Sequence, residues 1–139
     1  MKTKSSFLAA IIILLLSAWT MPATTEKSVS TLSVTKEKKF PPEFAFFRTH
    51  RQGRGIMATW GLTNNQGIYG FAVQRTYEDP NDPYSVWENI CAIPCGTGRS
   101  FKHHDLNVSP GFISYRVIAY FQLGGSLMSL TCTEHVVQH

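Results

Sequence analysis

The sequence offers little support for a helical, a nucleic-acid-binding or a multi-domain protein. No run outside the N-terminus shows sustained 3.6-residue periodicity, so an α-helical domain is not indicated. There is no arginine stripe and no interleaving of basic and aromatic residues, which are the patterns of nucleic-acid grooves. The formal net charge of +4 falls to +2 without Lys2 and Lys4, and so weak a field gives no argument for a nucleic-acid partner.

The N-terminus has the composition of a secretory leader. Lys2 and Lys4 precede an unbroken apolar run at residues 7–18. As a helix this run reaches roughly 18 Å, well short of the ~30 Å hydrocarbon layer of a membrane. We therefore predict a signal peptide at residues 1–23 and no stable membrane span once it is removed.

Two details of the leader stay open. The last residue removed is Ala18, Thr20 or Ala23, and an uncleaved anchor extended through Trp19 and Met21 is the alternative to cleavage. No cysteine follows the apolar run, so a lipid anchor is not indicated. The leader predicts a protein that is secreted, periplasmic or exposed on the cell surface.

The rest of the chain divides into a tether and one domain. Residues 24–42 are polar and poor in large apolar side chains, which predicts a flexible tether, with an edge strand at residues 30–34 as the alternative. Residues 43–139 hold enough chain for a single domain and not for two.

Short alternating runs separated by turn signals fill that domain, the pattern of an all-β sandwich. We predict a seven-stranded antiparallel, immunoglobulin-like sandwich. Its strands are expected at residues 43–48, 56–60, 68–75, 85–90, 100–104, 112–121 and 127–133. Period-two alternation places one side chain in two between the sheets. The predicted core includes Trp60, Phe71, Val73, Tyr115 and Val117.

These runs resemble the fibronectin type III family across almost the whole domain. The tryptophan that ends the family's second strand looks like Trp60, and its third strand looks like residues 71–75. Its penultimate strand looks like residues 115–119, and the glycine hairpin into the last strand looks like residues 124–126. The amino-acid sequences of these runs are most similar to those of bacterial exported members of the family. The resemblance implies a binding, spacer or adhesion module and does not imply an enzyme.

Two features depart from the family pattern. Family members usually lack cysteines, and a tyrosine is expected on the penultimate strand where Ile113 stands. Tyr115 is therefore interpreted as a core residue and not as the corner tyrosine of the family.

Three cysteines, Cys91, Cys95 and Cys132, are disulfide candidates because an exported chain meets an oxidising compartment. The odd count leaves at least one thiol free or paired between chains. A Cys91–Cys95 bridge, bent by Pro94, is slightly favoured over a bridge from either residue to Cys132.

Several groups of residues could form a metal or catalytic site, but each also has a simpler interpretation. The spacing of Cys91 and Cys95, followed by His103 or His104, is close to that of zinc ligands. A disulfide or buried thiols explain the two cysteines equally well. Cys95 with either histidine resembles a nucleophile and base, without an orienting third group. The carboxylates and amides at residues 78–82 match no calcium loop, and a solvated turn is preferred. We predict no cofactor, no metal and no catalytic residues.

The predicted function is a non-catalytic module that binds an unidentified protein or cell-surface component through its loop tips or an exposed sheet edge. The loops expected to bind are residues 64–67, 78–84 and 96–99. The candidate binding residues are Asn64, Asn65, Asp79, Asn81, Asp82, Tyr84, Trp87 and Arg99.

Exposed aromatic residues provide an alternative function. Flat rings with polar rims stack on sugars, which predicts a carbohydrate-binding module that uses Trp87 and Tyr84, provided that both rings are exposed and coplanar. Ordinary cross-strand packing explains the same type of residue. The aromatic residues considered are Tyr69, Tyr77, Tyr84, Trp87 and Tyr120. An exported thiol or zinc enzyme is a third, remote alternative.

Overall fold

Eight antiparallel β-strands supply the regular structure of residues 40–137, the part of the chain that this computed structural model describes. The predicted leader and most of the predicted tether lie outside these residues. No helix occurs among residues 40–137, so none there could cross a membrane. The strands are β1 Phe44–Gln52, β2 Gly55–Leu62, β3 Ile68–Thr76, β4 Glu88–Pro94, β5 Ser100–Asp105, β6 Gly111–Phe121, β7 Ser126–Met128 and β8 Cys132–Val136.

The strands form two sheets. In the first sheet β2 lies between β1 and β5. In the second sheet β4, β3 and β6 follow in that order, and both β7 and β8 pair with β6 along different stretches of that long strand. Every pairing is antiparallel. The prediction of an all-β domain with antiparallel sheets is confirmed for the described residues.

The core lies between the two sheets, where every second side chain of each strand meets the facing sheet. Trp60 of the first sheet packs edge-on against Phe71 of the second, with ring centroids 5.7 Å apart. All five predicted core residues are at most 2% exposed. Burying a large apolar side chain contributes about 1.5–3 kcal/mol, so this alternation is the main reason the two sheets pair face to face.

The fourth strand begins later in the chain than predicted. It was expected at residues 85–90 and occupies Glu88–Pro94. The backbone N–H of Val86 donates to the Glu78 carboxylate at 2.7 Å, which holds this part of the chain in the preceding loop. Pro94 can end β4 because an edge strand does not need every N–H for its ladder.

The last strand was predicted as one run at residues 127–133 and is divided into β7 and β8. Ser129 causes the division. Its side-chain Oγ accepts the N–H of Val117 at 2.9 Å and donates to the Leu130 carbonyl at 2.7 Å. A side chain thus takes the place of a backbone carbonyl in the ladder, which explains why eight strands are present and not seven.

A buried ion pair joins the two sheets beside the core. Asp105 at the end of β5 accepts a hydrogen bond from the Tyr115 hydroxyl at 2.9 Å and one from Arg75 Nη1 at 2.7 Å. Arg75 also donates to Glu88 at 2.9 Å. The Arg75 side chain is only 13% exposed, so this arginine belongs to the buried ion pair and not to the charged surface. Tyr115 is a core residue, as predicted, and its hydroxyl ties β6 to β5.

The predicted disulfides are absent, because Cys91, Cys95 and Cys132 all keep free thiols. Cys91 lies on β4 and Cys95 directly follows it, so extended backbone separates them by roughly 13 Å at ~3.3 Å per residue. A disulfide requires Cα atoms within about 7 Å. Cys132 lies on β8, and β3 and β6 stand between β8 and β4, a distance of roughly 14 Å at the usual strand spacing.

Candidate functional site

The outer face of the five-stranded sheet carries an apolar surface that the core does not use. Along β3 the side chains of Phe71 and Val73 point inward, so Gly70, Ala72 and Gln74 point outward. The register places Gly70 beside Tyr120 on β6 and beside Pro94 on β4. Ala72 lies beside Ile118 and Ala92. Small side chains therefore occupy the centre of this face, and larger ones stand around them.

This arrangement produces a groove of about 340 Å³ on the outer face. We call it the tyrosine groove. Its floor is formed by Gly70, Ala72 and Ala92, and its walls include Tyr69, Pro94 and Tyr120. Phe71 and Ile93 complete the lining.

Two tyrosine rings form one wall of the tyrosine groove. Tyr69 and Tyr120 stack with ring centroids 6.0 Å apart and planes inclined by 29°. Tyr69 is 56% exposed. Within the described residues neither hydroxyl makes a hydrogen bond, so both polar tips remain available. The wall therefore presents a flat apolar face with two unused hydroxyls.

Gly70 is required by the close packing of β3 on β4. A Cβ atom at this position would lie 3.0 Å from the Ile93 carbonyl oxygen, which is tighter than almost all real contacts. The same absence of a side chain leaves the floor of the tyrosine groove open. One glycine thus serves both the strand pairing and the shape of the groove.

A polar row borders the tyrosine groove on the same face. Arg116 Nε donates to the side-chain Oε1 of Gln74 at 2.7 Å, and Gln74 Nε2 donates to Asn89 Oδ1 at 2.7 Å. The Arg116 guanidinium also lies 4.0 Å from the ring centroid of Trp87. Burial lowers the pKa of Arg116 from its ordinary value. Within this row the amide nitrogen of Asn89 makes no hydrogen bond.

The predicted sugar platform of Trp87 and Tyr84 does not have the required geometry. Tyr84 is 88% exposed on the loop between β3 and β4. Trp87 is half-buried, and Arg116 covers one of its faces. Tyr77, another of the aromatic candidates, accepts the Ser109 N–H on its hydroxyl and lies near Arg75. Tyr69 and Tyr120 form a stacked pair on the outer face of the sheet, in which Tyr69 is exposed and Tyr120 is half-buried.

The remaining predicted binding residues form two groups at opposite ends of the strands. At one end Asn65 donates to the Gly96 and Gly98 carbonyls at 2.9 and 3.2 Å, and Arg99 donates to the Thr63 carbonyl at 3.2 Å. Asn64 belongs to this group and caps its own turn. These contacts tie the β2–β3 loop to the β4–β5 loop, so the side chains brace the loops.

The second group lies in the β3–β4 loop, at the other end. Asp79 Oδ1 accepts the N–H of Asn81 at 2.9 Å, and Asp82 Oδ1 accepts the N–H of Tyr84 at 2.9 Å. Both contacts are local turns in which an aspartate bonds the backbone two residues on. These carboxylates shape the loop, which matches the prediction of a solvated turn.

Comparison with known proteins gives no family. No family model and no curated protein sequence matches this chain. One similar solved structure is the pectate lyase PelI from Erwinia chrysanthemi in complex with tetragalacturonic acid, at 18% identity and a TM-score of 0.48, over 63% of this chain and 27% of that chain. Another is wild-type OgpA from Akkermansia muciniphila, at 16% identity and a TM-score of 0.49, over 71% of this chain and 28% of that chain. This chain spans less than a third of either neighbour.

The residues of the thiol and zinc alternatives do not converge. Across residues 40–137 no three His, Cys, Asp or Glu side chains are grouped as a metal site requires. The Cys95 thiol contacts the Gly96 carbonyl at 3.6 Å. Burial raises the pKa of Cys95, and a hydrogen bond from Asn65 opposes this only in part. A thiol with a raised pKa is a weak nucleophile.

Sequence reasoning named Tyr69 and Tyr120 but did not pair them. They are 51 positions apart in the chain, and only the β3–β6 register brings them together. One signal was present in the sequence. Gly70 and Ala72 are small residues at outward positions of a strand whose inward positions are large, and such a pattern indicates a depression on the outer face.

Proposed function

We propose that this chain is an exported, non-catalytic module of the fibronectin type III kind, and that it binds a protein or another component of the cell surface through the tyrosine groove. The two antiparallel sheets and the buried Trp60 support the architectural part of the proposal. The composition of residues 1–23 supports export.

The observation that carries the proposal is the stacked pair Tyr69 and Tyr120 beside a floor of glycine and alanine. Packing of the core explains the inward residues of β3 and β6 and leaves this outer surface unexplained. An apolar depression bordered by polar groups is characteristic of interaction sites. Tyrosine is also among the residues enriched at such sites, because its ring is large and stiff and its tip is polar.

The assignment as a binding module also has chemical support. Burial raises the pKa of the Cys95 thiol, and the polar groups that it contacts, the Asn65 side chain and the Gly96 carbonyl, are not general bases. The candidate loop residues are engaged in holding turns together. The tyrosine groove offers apolar faces and hydroxyls, and these are groups for recognition.

A retention experiment tests the proposal. The chain from residue 24 onward contains the whole compact unit Lys38–His139, and it is immobilised and exposed to an envelope extract of the source cells. We expect Tyr69→Ala and Tyr120→Ala each to reduce retention of envelope components about tenfold, because each removes a contact face.

The matched control is Tyr84→Ala, which removes a tyrosine that is more exposed than either groove tyrosine and lies outside the groove. Retention by this variant should equal that of the parent chain. Equal retention by all three variants would contradict the assignment of the groove as the binding surface.

A further inference from the structure

We propose that the tyrosine groove binds a neutral saccharide, with a sugar ring lying against the exposed face of Tyr69. This inference rests on the proposed function and names its ligand class. It assigns the sugar to Tyr69 and Tyr120 and not to the pair Trp87 and Tyr84 that the sequence favoured.

The size and shape of the groove argue for a small, flat occupant. A volume of about 340 Å³ lies at the lower end of the ~300–1,000 Å³ typical of small-molecule sites. The floor of Gly70, Ala72 and Ala92 carries no bulky group, so a flat ring can approach the Tyr69 face closely.

The unused polar groups at the groove match hydroxyl groups. The phenol of Tyr69 and that of Tyr120 can each donate and accept, and within the described residues neither has a partner. The Asn89 side-chain nitrogen, in the neighbouring polar row, donates to none of the described residues. A sugar offers an apolar ring face to the tyrosine and a rim of hydroxyls to the two phenols that border the groove.

The charge of the groove argues for a neutral ligand. None of the residues that line it is charged. The nearest cation on the same face, Arg116, is already bonded to Gln74 and packed on Trp87. A uronate or a phosphate would bring an anion that nothing in the lining compensates, and burying an unpaired charge is costly.

The test begins with periodate, which cleaves the vicinal diols of sugars and leaves most of a folded protein surface intact. Envelope extract is oxidised or mock-treated and applied to the immobilised chain from residue 24 onward. We expect oxidation to reduce retention at least tenfold. Retention that survives oxidation, together with no response to the neutral glycans of the second arm, would overturn the inference.

The second arm uses glycans released from the same envelope and separated by anion exchange into neutral and acidic fractions. Each is titrated into the ¹⁵N-labelled chain. The neutral fraction should shift the amides of residues 69–72, 92–94 and 118–120, and the shifts should change little between low salt and 0.5 M salt, since no charge pair is involved. A neutral fraction that shifts none of these amides would overturn the inference.

Variants separate the ring from the hydroxyl. In the titration with neutral glycans, Tyr69→Ala should weaken binding about tenfold. Tyr69→Phe keeps the ring and loses one hydroxyl, so it should weaken binding only about threefold to fivefold. Tyr84→Ala should have no effect. Equal losses from the Ala and Phe variants would contradict stacking on the ring.

The two proposals fail in different ways. If Tyr69→Ala and Tyr120→Ala leave retention of the native extract unchanged, the groove is not the binding surface and the proposed function is wrong. If both variants lose retention while neither periodate nor the neutral glycans has an effect, the groove is the binding surface and only the saccharide is wrong. A protein ligand would give that second result.

Discussion

At the scale of single residues, the contact that the sequence could not predict is the one between Arg75 and Asp105. The two residues are 30 positions apart and belong to different sheets. Period-two alternation predicts which face of a sheet a side chain occupies, but it does not predict which charged residue lies opposite on the facing sheet. The core residues Trp60 and Val117 were predictable because burial of an apolar side chain needs no particular partner.

The buried ion pair predicts a large loss of stability when it is broken. Asp105→Asn leaves the Arg75 guanidinium without its buried partner, and removing one member of such a pair typically costs about 3–5 kcal/mol. Glu88→Gln is the matched control, because Glu88 bonds the same arginine but is 61% exposed and should cost under about 1 kcal/mol. Urea unfolding measures both values. Similar losses of unfolding free energy in the two variants would show that the Asp105 contact stabilises the fold no more than the Glu88 contact does.

A second residue-level prediction concerns pH. His103 lies on β5 and is half-buried, and burial lowers its pKa from the ordinary 6.5. Smaller effects come from Asp105, which raises this pKa, and from His104, which lowers it. Because the unfolded chain binds the proton more readily than the folded one, folding stability should decrease as the pH falls from about 7 to about 5.

Two variants isolate this contribution. His103→Gln removes the titrating group and should flatten the decline in the free energy of unfolding between about pH 7 and pH 5. His50→Gln replaces an exposed histidine on β1 and should leave the slope unchanged. An unaltered slope in the His103 variant would mean that other groups cause the decline.

At the scale of whole elements, the prediction of strand bounds was limited by polar side chains that take the place of backbone hydrogen-bond partners. Ser129 divides the last strand, and Glu78 holds the chain before β4 in a loop. Both effects come from one polar side chain that finds a backbone group, and composition does not reveal them. The existence of β1, β2, β3, β5 and β6 was predicted correctly, with ends that differ by a few residues.

The pairing of β3 with β4 gives a prediction about Gly70. Gly70→Ala places a Cβ against the Ile93 carbonyl, so we expect a loss of about 1–3 kcal/mol from overpacking. Faster hydrogen exchange in β4 should accompany it. Gly96→Ala is the control, since a Cβ there meets no atom within 4 Å. This control should be neutral or slightly stabilising, by up to about 1 kcal/mol. A neutral Gly70 variant would mean that β4 can move away without cost.

At the scale of the whole molecule, the domain holds together by its core and not by disulfides. Disulfides were predicted from the oxidising compartment and from the spacing of the cysteines along the chain. In the fold, the geometry of the strands keeps the three thiols apart. We predict that the thermal midpoint of the oxidised chain is the same with and without dithiothreitol, and that a thiol reagent titrates three cysteines after denaturation. A midpoint that falls on reduction would reveal a bridge that the geometry rules out.

The candidate site was only partly predictable for a reason that applies to the molecule as a whole. The sequence supplied aromatic residues suited to stacking, and it supplied loops rich in polar residues. Which of them could meet a ligand depends on the tertiary arrangement. The fold uses the polar loop residues to brace turns, covers Trp87 with Arg116, and leaves Tyr69 and Tyr120 open beside a small-residue floor.

The measurement that tests this account most directly is an amide-shift map of the ¹⁵N-labelled chain from residue 24 onward, mixed with unlabelled envelope extract. The account predicts that the perturbed amides cluster at residues 69–72, 92–94 and 118–120, and that Tyr69→Ala removes the perturbation while Tyr84→Ala keeps it. Perturbations confined to the loops at residues 63–67 and 95–99, or at residues 77–87, would contradict it.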